Sequence, residues 1–180
     1  TLANLQTLIC DENRITDLSD ISGLDSLTYL GCRGNGLDEL PDLSPLTELD
    51  YLICADNNLT EIPGLDALDG LCSLYCEKNP ITDLSAITDM SQLAYLQCSE
   101  CPLGELPDLS GLDSLQMLTC SECELTDIPD VTGCDSIWYL WCPGNDFGTD
   151  DCPTIQAIEA MGLSSFGYNP QFDDSYLTCP

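Results

Sequence analysis

The 180-residue chain contains no histidine. That removes serine–histidine and cysteine–histidine nucleophile pairs and every imidazole metal site. Basic residues are almost as scarce. Arg14, Arg33 and Lys78 stand against 32 acidic residues, for a formal net charge of −29. A field of that sign repels nucleic acid and anionic membrane surfaces, so neither is an expected partner. No apolar run approaches the length that spans a bilayer, so membrane insertion is not expected. No basic, apolar leader precedes Leu2, where the regular pattern starts. The chain therefore reads as a mature form or an excised piece, from which a leader could have been removed. What is plentiful is apolar residues, 43% of the chain, enough to build the core of one domain.

Cysteine is abundant and evenly spaced. Cys10, Cys32, Cys54, Cys76, Cys98, Cys120 and Cys142 follow one another at intervals of 22 residues. The leucines keep the same period. The first register is Leu2, Leu5, Leu8, Cys10, Asn13, Ile15, Leu18, Ile21; the second is Leu24, Leu27, Leu30, Cys32, Asn35, Leu37, Leu40, Leu43. A fixed period of this length means stacked supersecondary units, each too thin to bury its own leucines. Around each cysteine the pattern alternates, with Leu8 and Cys10 inward and Thr7, Ile9 and Asp11 outward. That is a short half-buried strand. Elsewhere the apolar residues recur every third position, as in Ile15, Leu18 and Ile21, which suits a tight 3-10 or extended path. Pro41, Pro63, Pro107 and Pro129 interrupt any longer helix there.

The asparagine column (Asn13, Asn35, Asn57, Asn79, Asn145) falls where the chain leaves the strand. A side-chain amide there satisfies backbone groups that the bend strands. Cys101 and Cys123 replace it in two units, and a thiol should satisfy those corners less well. The 22-residue motif resembles leucine-rich repeats of the internalin-like bacterial class, and the cysteine column resembles internalins with a cysteine ladder. The resemblance covers residues 2 to 145. It implies a right-handed α/β solenoid with a short parallel sheet on the concave face and an irregular, 3-10-rich convex side. It also implies an extracellular or cell-surface setting, with which the extreme acidity agrees. It says little about function, because one repeat architecture hosts many binding tasks.

Residues 1–145 thus read as seven solenoid units and 146–180 as a C-terminal cap. Residues 152–161 read as a short amphipathic helix, with Pro153 and Thr154 at its start and Gly162 at its end. Tyr176 to Cys179 echoes the seventh strand and reads as an eighth, with Cys179 prolonging the ladder. A loose tail is the alternative.

Six cysteines lie outside the ladder: Cys72, Cys101, Cys123, Cys134, Cys152 and Cys179, and their redox state is open. Cys72 takes an outward position and looks chemically available. Cys101 and Cys123 occupy equivalent corners of adjacent units. Strands lie about 4.8 Å apart, within the Cα range of roughly 4.4–6.8 Å that a disulfide tolerates. The pairs Cys98–Cys101 and Cys120–Cys123 also match a zinc-ribbon spacing. The repeat itself explains that spacing better, because closing four thiols around zinc would pull two core residues out of the column. No metal or other cofactor is expected at this pair.

Two surface columns stand out. Outward strand positions stack as Thr7, Tyr29, Tyr51, Ser73, Tyr95, Met117, Tyr139 and as Ile9, Gly31, Ile53, Tyr75, Gln97, Thr119, Trp141, with Trp138 beside them. Aromatics on one solvent-facing sheet give contact area at low entropy cost, although cross-strand pairs also stabilise a sheet. Asp11, Glu12, Asp56, Glu77, Glu100 and Glu122 rim this face, with Arg33 and Lys78 among them. The expected contact residues are Tyr29, Tyr51, Tyr75, Tyr95, Tyr139, Trp141, Arg33 and Glu77. On the irregular side runs an acidic column: Asp17, Glu39, Glu61, Asp83, Glu105, Asp127. Like charges about 5 Å apart repel by roughly 0.8 kcal/mol in water. Solvation, with some carboxylates bonding nearby amides, is the preferred reading; calcium binding or high-salt adaptation is the sharper one. Asn58-Leu-Thr60 is a glycosylation sequon, relevant only in a eukaryotic secretory route.

Carboxylate pairs are common, but nothing marks one as secluded, and solenoids present open faces. The chain therefore reads as a non-catalytic recognition module. It would bind a protein or glycan with a basic surface through the concave face. The alternative is a structural subunit of an extracellular assembly, self-associating through solenoid ends.

Overall fold

The computed structural model describes residues 2–168 together with Leu177 and Cys179. Eight strands follow one another in a single parallel sheet, in sequence order. They are β1 Thr7–Ile9, β2 Tyr29–Gly31, β3 Tyr51–Ile53, β4 Ser73–Tyr75, β5 Tyr95–Gln97, β6 Met117–Thr119, β7 Tyr139–Trp141 and β8 Ser165–Gly167. Register is kept through β7, with Leu8, Leu30, Leu52, Leu74, Leu96, Leu118 and Leu140 side by side. Equivalent letters of the repeat are therefore spatial neighbours.

The ladder cysteines are inward. Cys32, Cys54, Cys76, Cys98, Cys120 and Cys142 are fully buried, and Cys10, in the first unit, is half-buried. Each also extends the sheet by one rung beyond its strand: the Cys54 amide donates to the Tyr75 carbonyl at 2.9 Å and that of Cys76 to Gln97 at 2.9 Å. Burial pushes the Cys32 thiol up to about 12 and that of Cys54 well above its ordinary range. These thiols stay protonated at neutral pH and act as small hydrophobes.

Two residues after each ladder cysteine the chain turns through the left-handed region. Glu12, Asp56, Lys78, Glu100 and Glu122 adopt φ of 54–58° there, and Gly34 and Gly144 occupy the same place in their units. Side chains resist this conformation. The bend persists because each amide still reaches the next coil, as Glu100 does to the Ser121 carbonyl at 2.8 Å.

The asparagine column then ties coil to coil. Asn57 Oδ1 accepts the Leu37 amide, while Nδ2 donates to the carbonyls of Cys32, Cys54 and Ala55. Asn79 repeats the set one unit on. Cys101 and Cys123 fill the same corner with thiols, which donate to the Cys76 and Cys98 carbonyls. Both are free and buried, so no rung-to-rung bridge joins them.

On the convex side, 3-10 turns form at Ser19–Gly23, Leu65–Ala67 and Ser85–Ile87. The units carrying Pro41, Pro107 and Pro129 have no helical turn at that place. Leucines from all sides of the coil fill one continuous core.

Beyond the seventh unit, helix α1 spans Cys152–Met161 and ends on left-handed Gly162. Ile155 and Ile158 bury against the solenoid core. The strand beside β7 is not the one the sequence suggests. Ser165–Gly167 takes that place, with Phe166 opposite Leu140. Leu177 and Cys179 are irregular, and Tyr176 and Thr178 lie outside the described residues. Cys179 does not prolong the ladder either; it forms a disulfide with Cys152. The physical reason is local. Phe166 and Tyr168 supply the inward apolar pair that an eighth coil needs, and they pack on the core.

Candidate recognition surface

The strands present their alternate residues to the concave face in two columns, as strict register requires. Tyr29 and Tyr51 stack with ring centroids 5.7 Å apart and planes inclined by 30°. At the far end Tyr139 stacks on Trp141 at 6.4 Å and meets Trp138 edge-on at 5.7 Å. Tyr51, Trp138 and Trp141 remain 41%, 43% and 40% exposed. These three rings keep open faces toward solvent. Tyr95 is half-buried, and its hydroxyl donates to Gln116 Oε1 at 3.1 Å.

Two small residues shape the columns. Ser73 interrupts the tyrosines between Tyr51 and Tyr95 and is fully buried. Gly167 lies under the Trp141 ring, so closely that a Cβ there would collide with it. Strand β8 is therefore the platform that orients Trp141.

Midway along the face is an open hollow of about 290 Å³ lined by Asp11, Arg33, Ile53, Tyr75, Glu77 and Gln97. Its charged groups are unequally engaged. Asp11 Oδ1 accepts the Arg33 amide at 2.8 Å. Arg33 Nε pairs with Glu12 Oε1 at 3.7 Å, and Lys78 reaches Glu100 at 3.6 Å. Glu77 Oε2 is shut off from solvent and, among the described residues, accepts no hydrogen bond. Burial raises the Glu77 pKa above its ordinary value, against the smaller opposing pull of its own backbone amide, Arg33 and Lys78. Burial likewise raises that of Tyr75. All eight expected contact residues lie on or beside the concave sheet, and among the described residues Tyr75, Arg33 and Glu77 share the hollow.

The acidic column is on the convex side. Asp17 and Asp83 accept the amides of Ser19 and Ser85 at 2.7 Å, which holds both carboxyls below their usual range. Asp42 and Asp108, outside the column, do the same with Ser44 and Ser110. These are local turns in an Asp-x-Ser pattern, and the bond is part of the bend itself. Asn58, in the sequon, is exposed and donates to Asp38 Oδ1 at 3.0 Å.

Two features escaped the sequence reading. Asp151 is buried, accepting the Ile128 amide on Oδ1 and the Gly148 amide on Oδ2, both at 2.8 Å, and so pins the cap to the last unit. Nothing distinguishes it in the sequence from 31 other acids. The Cys152–Cys179 disulfide was more accessible, since both cysteines fall in the non-repetitive segment.

A family model for leucine-rich repeats in two copies matches residues 3–45. No curated protein matches the sequence. Among solved structures, the functional domain of InlJ from Listeria monocytogenes, described as including a cysteine ladder, is 31% identical with a TM-score of 0.73; the match covers 79% of this chain and 31% of that one. A leucine-rich-repeat protein of Leptospira interrogans is 28% identical with a TM-score of 0.83, over 89% of this chain and 42% of the other. The ectodomain of the plant receptor kinase GASSHO1/SCHENGEN3 from Arabidopsis thaliana, solved in complex with Casparian strip integrity factor 2, is 28% identical with a TM-score of 0.70, covering 84% and 20%. The chain thus spans less than half the length of each of these three. Leucine-rich-repeat domains generally mediate protein–protein recognition. With its 22-residue coils, in-register parallel sheet and inward thiol column, the chain is a leucine-rich-repeat solenoid of the internalin-like, cysteine-laddered type.

Proposed function

We propose that this domain is a non-catalytic recognition module that holds a protein partner against its concave sheet, outside the cell or on its surface. The observation that carries this reading is the in-register aromatic series on an exposed face, with Tyr51, Trp138 and Trp141 open to solvent inside an acidic rim. Large, fairly rigid rings with a polar edge are what interface hot spots are made of. The rim favours a partner with a basic surface, chiefly by steering its approach. The Cys152–Cys179 disulfide supports an oxidising compartment, and the relatives point the same way, one of them being a receptor ectodomain.

The test compares three immobilised proteins as bait for surface and secreted proteins: the wild type, a variant with Tyr29, Tyr51, Tyr95 and Trp141 changed to alanine, and a convex variant with Glu39, Glu61 and Glu105 changed to glutamine. The proposal expects the concave variant to lose a captured protein that the convex variant keeps, with both variants folded by circular dichroism. Equal capture by all three contradicts it.

A further inference from the structure

We infer that the hollow between Ile53, Tyr75, Glu77 and Gln97 is a subsite for the cationic end of a lysine or arginine side chain on the protein partner, with Glu77 as its counter-ion. The inference deepens the concave-face reading and rests on it.

Glu77 has an unmet electrostatic demand. Glu77 is half-buried and lines the hollow; its Oε2 is sealed from solvent with no hydrogen-bond donor among the described residues, so the rest of the carboxylate is what an incoming cation can meet, and the group's charge is poorly compensated. A carboxylate oxygen in that condition is costly to keep. The chain has three basic residues; the two beside Glu77 act on it electrostatically but make their ion pairs with other acids, Arg33 with Glu12 and Lys78 with Glu100. Asp11, the other acid of the hollow, is already committed to the Arg33 amide. Asp11, Arg33 and Glu77 together leave one negative charge unmatched.

The lining selects the ligand's shape. Ile53 and the Tyr75 ring offer apolar surface to an aliphatic stem, and a cation near the tyrosine gains from the ring's negative face. The Gln97 side chain can supply a further acceptor oxygen. A divalent metal is a poor fit, because calcium needs six to eight oxygens and only one carboxylate here is uncommitted. The hollow is open, as a side chain arriving on a protein surface requires.

The test is a nuclear magnetic resonance titration of the whole chain with N-acetyl-lysinamide, N-acetyl-argininamide and the uncharged isostere N-acetyl-norleucinamide at constant ionic strength. The expected result is saturable amide shifts at Tyr75, Glu77 and Gln97 with the two cationic probes. Norleucinamide should bind at least about tenfold more weakly, and Glu77→Gln should weaken the cationic probes by a similar factor. Glu39→Gln, a control on the convex side, should leave them unchanged. Equal binding of norleucinamide overturns the inference. So does undiminished binding to Glu77→Gln, or shifts spread evenly over the acidic surface. The two readings also separate. Should Glu77→Gln still capture the concave-face partner at full strength, the subsite fails while the recognition face stands.

Discussion

The Cys101 thiol sits 3.3 Å from the carbonyl oxygen of Cys76, in the corner that an asparagine fills one unit earlier. Asn79 makes four hydrogen bonds from that position, three donated and one accepted. At Cys101 a thiol donates one bond in their place, and its sulfur is a weaker acceptor for the nearby Asn79 and Ile81 amides than an amide oxygen would be. Cys101→Asn should therefore stabilise the domain by about 1 kcal/mol, and Asn57→Ala should cost about 2–3 kcal/mol by stranding buried carbonyls and the Leu37 amide. Urea denaturation midpoints at constant slope check both.

Glu77 gives a pH signature. Burial raises its folded pKa, so the folded chain holds this proton more tightly than the unfolded chain. Stability from this group is fully present below the ordinary glutamate range and is lost as pH rises through the raised folded value. The charged groups that act on it are Arg33, Lys78 and Asp56. Glu77→Gln should therefore melt higher than the wild type at pH 7, with the gap closing as pH falls through the glutamate range. A variant that gains stability while losing cation binding would mark Glu77 as kept for recognition.

One covalent bond, Cys152–Cys179, closes the cap on itself, and the buried Asp151 carboxylate joins it to the last unit beside the packing of Ile155 and Ile158 and the β7–β8 pairing. Cys152 and Cys179 are 27 residues apart, and closing that loop removes chain entropy from the unfolded state worth about 3–4 kcal/mol. A Cys152→Ser, Cys179→Ser double variant should lose about that much. Asp151→Ala, which strands the Ile128 and Gly148 amides, should lose about 2–3 kcal/mol. Thermal melts with and without reductant distinguish the two. Reductant should lower the wild-type Tm and leave the double serine variant unmoved.

The left-handed column predicts an inverted substitution pattern. Glu122 is exposed at φ 54°, a conformation that glycine adopts freely. Glu122→Gly should be stabilising by about 0.5–1 kcal/mol, once its added freedom in the unfolded chain is set against relief of the bend. A β-branched residue there should do the reverse. Denaturation of Glu122→Gly and Glu122→Val checks the ordering.

Periodicity made most of the fold legible. One interval fixed the strands, the inward leucines and thiols, and the two outward columns, because stacking converts sequence spacing into distance. The cap helix was readable from Pro153 and Gly162. Strand β8 was not, because Phe166 and Tyr168 replace the leucine and cysteine that announce every other rung. The site was legible only as a list. Spacing placed Tyr75, Arg33 and Glu77 on one face, but which charges are engaged depends on side-chain reach. Glu12 and Glu100 pair with Arg33 and Lys78, so among the described residues Glu77 feels both cations without an ion pair of its own. Letters alone do not carry that.

Hydroxyl-radical footprinting of the domain, alone and with its captured protein partner, reads the central claim most directly. The account predicts protection of Tyr51, Trp138 and Trp141 on the concave sheet, with exposed Met161 at the end of α1 unchanged. Protection confined to the convex turns or to Met161, with those three rings still oxidised at the free rate, would contradict it.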